Sequence, residues 1–296
     1  MEFNDTEKRI FRDGEPVYVQ SLHEYIEKVM DLTYQNEKPY WYRGHGVADW
    51  PLIPGIQRSL KEMETLDEFY QKERYSTNNF QCYASSFLQN KPAMGDFSAW
   101  LTIMQHYGVR TRLLDWSRSP LYALYFATQN FEKYKEKDAC VWLLDTHVLS
   151  EYVHLEKKNI PYYHVQHNTV KDVIYTAFRE YHPQRYCRFG GEHKRRHERY
   201  LKTNNTIVAC FPTETDGRVY NQQSVFTVHS SVKRLTEIHD ELKQDGKGDL
   251  LIEIIIPAGY KKDIFEQLFI CGIGHSNVYP DMEHLALDIR RINPWA

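Results

Sequence analysis

Leu22, Tyr25, Ile26, Val29 and Met30 recur at steps of three and four residues, the period of a helix with one apolar face. Ser21 stands before them and Glu24 three residues after it, so a capping box opens a helix predicted over Ser21–Gln35. The pattern then shortens to a strand, Tyr40-Trp41-Tyr42-Arg43, and Pro51 and Pro54 hold the next segment extended. Ser59 and Glu62 form a second capping box ahead of Met63, Leu66, Phe69 and Tyr70. A third helix is predicted over Asp96–Tyr107, with Phe97, Trp100, Leu101 and Met104 on one side and Gly108 as its stop.

Thr111–Trp116 reads as a buried strand. Ser119 then caps a helix whose first residue, Pro120, gives up only a backbone N–H that would have no partner there anyway. Further strands are predicted at Ala139–Asp145, Thr206–Phe211, Gln223–His229 and Asp249–Ile256, and helices at Thr169–Tyr181, Val232–Lys243, Tyr260–Cys271 and Asp281–Arg290. Helices separate most strands, but in an irregular order, which favours an α+β fold over a doubly wound parallel sheet. With no internal repeat and no low-complexity linker, the chain reads as one compact domain. No glycine-rich dinucleotide or P-loop signature follows a strand.

Composition narrows the classes. The 296 residues carry 37 Lys and Arg against 40 Asp and Glu, a net charge of −3, which excludes a polycation and an acidic disordered chain. No apolar run approaches the ~18–20 residues that span a bilayer, and residues 1–5 lack a signal-peptide shape. Five cysteines, odd in number and without a C-x-x-C pair, fit a reducing cytoplasm and argue against a disulfide framework or a cysteine zinc site. The expectation is a cytoplasmic protein with no membrane contact and no metal.

Four segments can carry chemistry. In Trp41-Tyr42-Arg43-Gly44-His45-Gly46, an arginine near a strand end can hold phosphate or carboxylate through its planar fork, and the glycines would let a ligand approach the backbone. The same residues also fit an ion-paired arginine beside a turn. In the run from Gln105 to Pro120, Asp115, Trp116 and Ser117 sit at a strand-to-helix junction, where free N–H groups and the helix dipole favour an anion. Helix capping by Asp115 and Ser117 is the alternative. Asp115 and Arg112 fall on opposite faces of an extended strand. Asn221-Gln222-Gln223-Ser224 opens a strand with amides that can meet a ribose hydroxyl or merely satisfy backbone groups.

The fourth segment, about residues 179–202, holds eight Lys and Arg against three acids, with Tyr181, Tyr186, Phe189 and Tyr200 interleaved. Positive charge between aromatic faces suits single-stranded nucleic acid, with Lys194, Arg195, Arg196 and Arg199 as the contacts; a solvated face is the alternative. His193 and His197 have helical spacing without the glutamate of a zinc helix. No nucleophile motif stands out.

Taken in order, the first three segments resemble the FRG domain family, named for a Phe/Tyr-Arg-Gly motif that Tyr42-Arg43-Gly44 matches. Trp50-Pro51-Leu52-Ile53-Pro54 resembles the family's next block. Gln105 to Ala127 resembles its most diagnostic one, with Val109, Arg110 and Ser117 as departures. Asn221 to Phe226 resembles the third, with Ser224 where glycine is usual, and Gly272-Ile273 and Tyr279-Pro280-Asp281 resemble the ending. The resemblance covers about residues 40–285. It implies an N-terminal helical segment over 1–39 and an FRG domain over 40–296, with the basic stretch as an insertion.

A weaker resemblance, to ADP-ribosyltransferases, implies a mixed-sheet core of that kind and NAD as substrate. Arg43, Asp115 and Gln222 would be catalytic. Tyr42, Gly44, His106, Tyr107, Thr111, Arg112, Trp116, Ser117 and Gln223 would line the NAD site. Gln222 departs from the glutamate expected there, and a carboxamide cannot act as a general base; either the acceptor then needs no base, or Asp115 or a remote glutamate supplies one. The resemblance implies transfer of ADP-ribose to a macromolecule, RNA or DNA among the candidates, by a toxin or anti-phage defence effector with an inhibitor or antitoxin partner. Its rivals are a non-catalytic nucleotide- or RNA-binding module and, third, a phosphodiester-cleaving enzyme.

Overall fold

The structure is a computed structural model, and it describes residues 17–36, 39–59, 66–88, 90–153, 163–165, 167–175, 206–212, 220–231 and 233–293. Its strands are β1 (Val17–Tyr18), β2 (Trp41–His45), β3 (Leu113–Ser117), β4 (Ala139–Leu144), β5 (Tyr163–His164), β6 (Ile207–Phe211), β7 (Ser224–His229) and β8 (Leu251–Ile256). They form one sheet in the order β1-β8-β4-β2-β3-β7-β6-β5. Only the two outermost pairs, β1 with β8 and β5 with β6, are parallel. The helices are α1 (Leu22–Asn36), α2 (Leu66–Ala84), α3 (Phe97–His106), α4 (Pro120–Thr128), α5 (Thr146–Val153), α6 (Asn168–Tyr175), α7 (Leu235–Gln244), α8 (Lys261–Ile270), α9 (His275–Val278) and α10 (Met282–Ile292).

Local chemistry explains most boundaries. The Ser21 hydroxyl accepts from the Glu24 N–H and the Glu24 carboxylate from the Gln20 N–H, so the predicted box closes one residue upstream of its usual return bond. Asp96 caps α3, and Gly108 ends it at φ +76°, a conformation that costs glycine nothing. Ser119 accepts from Tyr122 N–H with Pro120 in the first turn of α4, as the sequence predicts. Asp145 is not the end of β4. Its carboxylate accepts from the N–H groups of His147 and Val148 and caps α5, which the sequence reading did not include. The second capping box, and the helix beyond residue 175, fall outside the described residues.

Alternation along the strands divides the core. On one face, Tyr42, Val141, Leu143, Ile252 and Ile254 pack under α1, α4 and α8. On the same face, Leu113, Phe226, Val228 and Val208 pack under α3 and α6. The central strands β2 and β3 lie between these two helix layers. The opposite face, with Trp41, Leu114, Trp116, Trp142 and Leu251, is closed by α5 and α7. Residues 17–36 share the first cluster, so the N-terminal segment and the sheet have one core.

Two predicted ligand positions have structural duties. A β-carbon on Gly44 would stand 1.9 Å from the Ala123 carbonyl oxygen and 2.6 Å from Ala127 N, so the motif glycine lets α4 lie against β2. Packing by itself requires a glycine here, at a position that also borders the cavity described below. Arg112 is fully buried: its Nε donates to Glu73 Oε2 at 2.6 Å and its Nη1 to the Val173 carbonyl at 3.2 Å, with its guanidinium over the Tyr70 ring. Glu73 also accepts the Arg112 backbone N–H, so this pair ties α2 to the entry of β3.

Candidate functional site

A cavity of about 370 Å³ opens between α3 and α4, over β2 and β3. That lies within the ~300–1,000 Å³ usual for small-molecule sites. β2 and β3 share only one registered pair, Tyr42 with Ser117, so their ladder opens beyond it. The Asp115 carbonyl would lack a strand partner there. The Arg43 guanidinium takes that place: Nη1 donates to the Asp115 carbonyl oxygen at 2.5 Å, and Nε donates to His45 Nε2 at 3.2 Å. By register Arg43 belongs to the opposite face of the sheet, and the open ladder lets it reach the cavity.

Asp115 stands on the cavity floor. Its Oδ2 lies 3.8 Å from Arg43 Nη1 and accepts from Gln105 Nε2 at 2.6 Å. Gln105 Oε1 in turn accepts from the Thr111 hydroxyl at 2.6 Å, which fixes which way the amide faces. Half of the Asp115 side chain is open to the cavity, yet the floor is deep enough that desolvation raises its pKa, against the lowering pull of Arg43 and the Gln105 bond. Desolvation likewise pulls Arg43 down to about 10, opposed by Asp115 and assisted by the nearby charge of Arg58. His45 is buried, and desolvation followed by the Arg43 and Arg58 charges holds it well below the usual histidine range. Its Nε2 is therefore a neutral acceptor for Arg43.

The walls are aromatic rings and amides. Tyr42, Trp50, Phe126, Phe226 and Tyr279 supply the rings, and Gln105, Gln129, Asn130 and Gln222 the carboxamides. Tyr279 is held by stacking on His284 at 4.3 Å between ring centres, and it meets Phe126 edge-on. The sequence reading did not single out Trp50, Phe126, Gln129, Asn130, Phe226 or Tyr279 as site residues, because an aromatic or amide at an element end reads equally well as core or cap.

The three residues expected to be catalytic, Arg43, Asp115 and Gln222, all border this cavity, as do Tyr42, Gly44, His106, Trp116 and Ser117. Four others do not. Tyr107 is 64% exposed just past α3. Thr111 acts one step back, through Gln105. Arg112 is committed to Glu73. Gln223 occupies the turn before β7 at φ 49°, where its side chain is exposed. Gln222 is more constrained than the sequence implied: its side-chain Nε2 donates to the Val278 carbonyl at 2.9 Å, and its backbone carbonyl accepts from the Ser117 hydroxyl. Ser117 also accepts from Ser119 N–H, so it organises the entry to α4. Lys194, Arg195, Arg196 and Arg199 lie outside the described residues.

Fold and site together define a mixed α+β protein with a single sheet and an Arg–Asp cavity where the two helix layers part. The FRG domain model matches residues 38–136, which takes in β2, Arg43 and the whole stretch from Gln105 to Asn130, and the chain carries an FRG domain there. The match is narrower than the motif resemblance and leaves out Gln222 and Tyr279. No curated protein and no solved structure matches the chain. Among the described residues no helix is long and apolar enough to cross a membrane.

Proposed function

We propose that the cavity binds NAD and that the protein transfers its ADP-ribosyl group to a macromolecular acceptor. The observation that carries this reading is the meeting of Arg43 and Asp115 in one ring- and amide-lined cavity. A planar heterocycle with a carboxamide suits such walls, since rings supply stacking surface and amides supply paired donors and acceptors. Arg43 keeps 16% of its side-chain surface exposed beside Asp115 and anchors a phosphate or ribose oxygen.

In the proposed reaction the bond between the ribose C1 and the nicotinamide nitrogen breaks, and its electron pair leaves on nicotinamide. The Asp115 carboxylate faces the positive charge that develops on the ribose, an electrostatic role that needs no base. An acceptor oxygen or nitrogen then bonds to C1, and its proton passes to Asp115 or to water. The raised pKa of Asp115 suits that proton transfer. Gln222 fixes the wall through Val278 and carries no proton in this scheme. The macromolecular acceptor, and an effector role in toxicity or defence, rest on the motif resemblance, and the basic stretch at about 179–202 is the proposed acceptor contact.

Titration calorimetry with NAD, together with assay of released nicotinamide, tests this. Wild type should bind NAD and release nicotinamide. Arg43→Lys keeps the charge but loses the fork, so binding should weaken roughly ten- to hundredfold in a variant that still folds. Absence of NAD binding by the folded wild type would sink the proposal.

A further inference from the structure

The Gly108 turn that ends α3 folds the chain back, so that the side chains of Gln105 and Thr111 meet. Thr111 is fully buried, and its backbone carbonyl accepts from Ile56 N–H at 3.2 Å. Its hydroxyl oxygen accepts from Leu113 N–H at 3.0 Å, and its single proton goes to Gln105 Oε1 at 2.6 Å. The other end of that amide, Nε2, donates to Asp115 Oδ2. These bonds form one directed chain, from the backbone at the start of β3 to the cavity floor.

The direction cannot be reversed without loss. Turning the amide over would leave the buried Thr111 proton without its acceptor. It would also set Gln105 Oε1 against Oδ2, acceptor against acceptor, a contact that is favourable only when Oδ2 carries a proton. The orientation that Thr111 holds is therefore the one that suits an ionised Asp115. Arg43 Nη1 also approaches Oδ2, at 3.8 Å, so the guanidinium and the amide act on the same oxygen.

We propose that Thr111 is a positioning residue: it locks Gln105 as a donor to Oδ2 and leaves Oδ1 as the oxygen of Asp115 that takes a proton. This rests on the transfer reading above. In that reading the proton that the acceptor loses as it bonds to C1 goes to Oδ1, and Asp115 then passes it to water. The groups that act on the Asp115 charge are Arg43 on β2, the Gln105 bond, its own backbone N–H and Arg58, all of which oppose the larger effect of desolvation. His106 on α3, Tyr42 on β2 and Tyr279 border the same cavity, and β7 sets Phe226 beside Asp115 in register. An exchange at Thr111 leaves all of these groups in the chain and removes only the hold on the amide.

NMR titration of the Asp115 carboxyl carbon tests the proposal. It uses the full chain with labelled aspartate and no NAD, so its result stands whether or not NAD is the substrate. Thr111→Val should raise the Asp115 midpoint by roughly one pH unit, because the amide is free to turn and Oδ2 loses its fixed donor. Thr111→Ser restores the hydroxyl and should titrate with wild type. Gln105→Met, at the cavity wall, removes the amide itself and should raise the midpoint at least as far, which decides the matter even if Thr111→Val does not fold. Adding Thr111→Val to Gln105→Met should change the midpoint no further, since Thr111 acts through the amide. In nicotinamide release the acidic limb of the pH profile should move with the midpoint. A midpoint that Gln105→Met leaves in place overturns the proposal. So does a Thr111→Val shift that persists in full on the Gln105→Met background, or one that Thr111→Ser reproduces.

Discussion

Gly44→Ala tests the packing account at its tightest point. The added β-carbon would stand 1.9 Å from the Ala123 carbonyl oxygen and 2.6 Å from Ala127 N, whereas real β-carbons essentially never come within 3.0 Å of such atoms. Both obstacles are backbone of α4, so no side-chain rotation relieves them, and the helix must retreat from β2 by about 1 Å. Overpacking in a core costs about 1–3 kcal/mol, and a backbone obstacle puts this change at the upper end. For a chain of this size, about 3 kcal/mol corresponds to a fall in Tm of roughly 6–12 °C. Gly46→Ala is the control, because its new β-carbon meets only the Tyr134 and Trp50 rings at 3.5 Å and beyond. Calorimetric melting of the two variants beside wild type decides the matter. A Gly44→Ala protein that melts with wild type but loses ligand binding would refute the packing role and return Gly44 to the ligand.

Arg112→Leu leaves the Glu73 carboxylate buried and unpaired and should cost about 3–5 kcal/mol by urea denaturation, whereas the double change with Glu73→Leu should recover most of that loss. Asp115 has a folded pKa above its ordinary value of 3.8, so the native state holds the proton more tightly and stability falls as pH rises through the window between the two values. Asp115→Asn should therefore melt higher than wild type at pH 7, with the gap closing below about pH 3.8, while nicotinamide release is lost; a variant that melts lower at pH 7 would contradict the desolvation argument. Replacing Lys194, Arg195, Arg196 and Arg199 with Ser should weaken single-stranded RNA or DNA binding and flatten its salt slope by roughly 0.7 per lost phosphate contact, with NAD affinity unchanged. Unaltered binding in fluorescence anisotropy would make that stretch a solvated face.

Features set by neighbours in sequence were legible, and features set by distant ones were not. Asp96, Ser119 with Pro120, and Gly108 act within a turn of themselves, so their caps and stops can be read from spacing. Asp145-Thr146 carries the same kind of signal, but the apolar run before it drew Asp145 into the strand. The partner of Arg112 lies 39 residues upstream, on a helix whose docking no local pattern reveals. The meeting of Arg43 with Asp115 depends on β2 and β3 being neighbours across 72 residues and on their ladder opening. The sequence offered both residues as candidates because each is a charge set among aromatic and apolar positions. It offered Gly44 as a ligand contact because glycine in sequence does not say which atom needs the room. Tyr279, in the C-terminal motif, faces the cavity only because α9 folds back against α4, with His275 and Tyr279 on the rings of Tyr125 and Phe126.

The most direct measurement follows the adenylate label of NAD into macromolecules. The full chain is incubated with adenylate-labelled NAD and cell lysate, and the products are divided by nuclease and protease digestion. The account predicts label in one macromolecular class, with nicotinamide released in equal amount, and neither in Asp115→Asn. Unchanged NAD after incubation with folded wild type, or transfer that Asp115→Asn leaves intact, would contradict it.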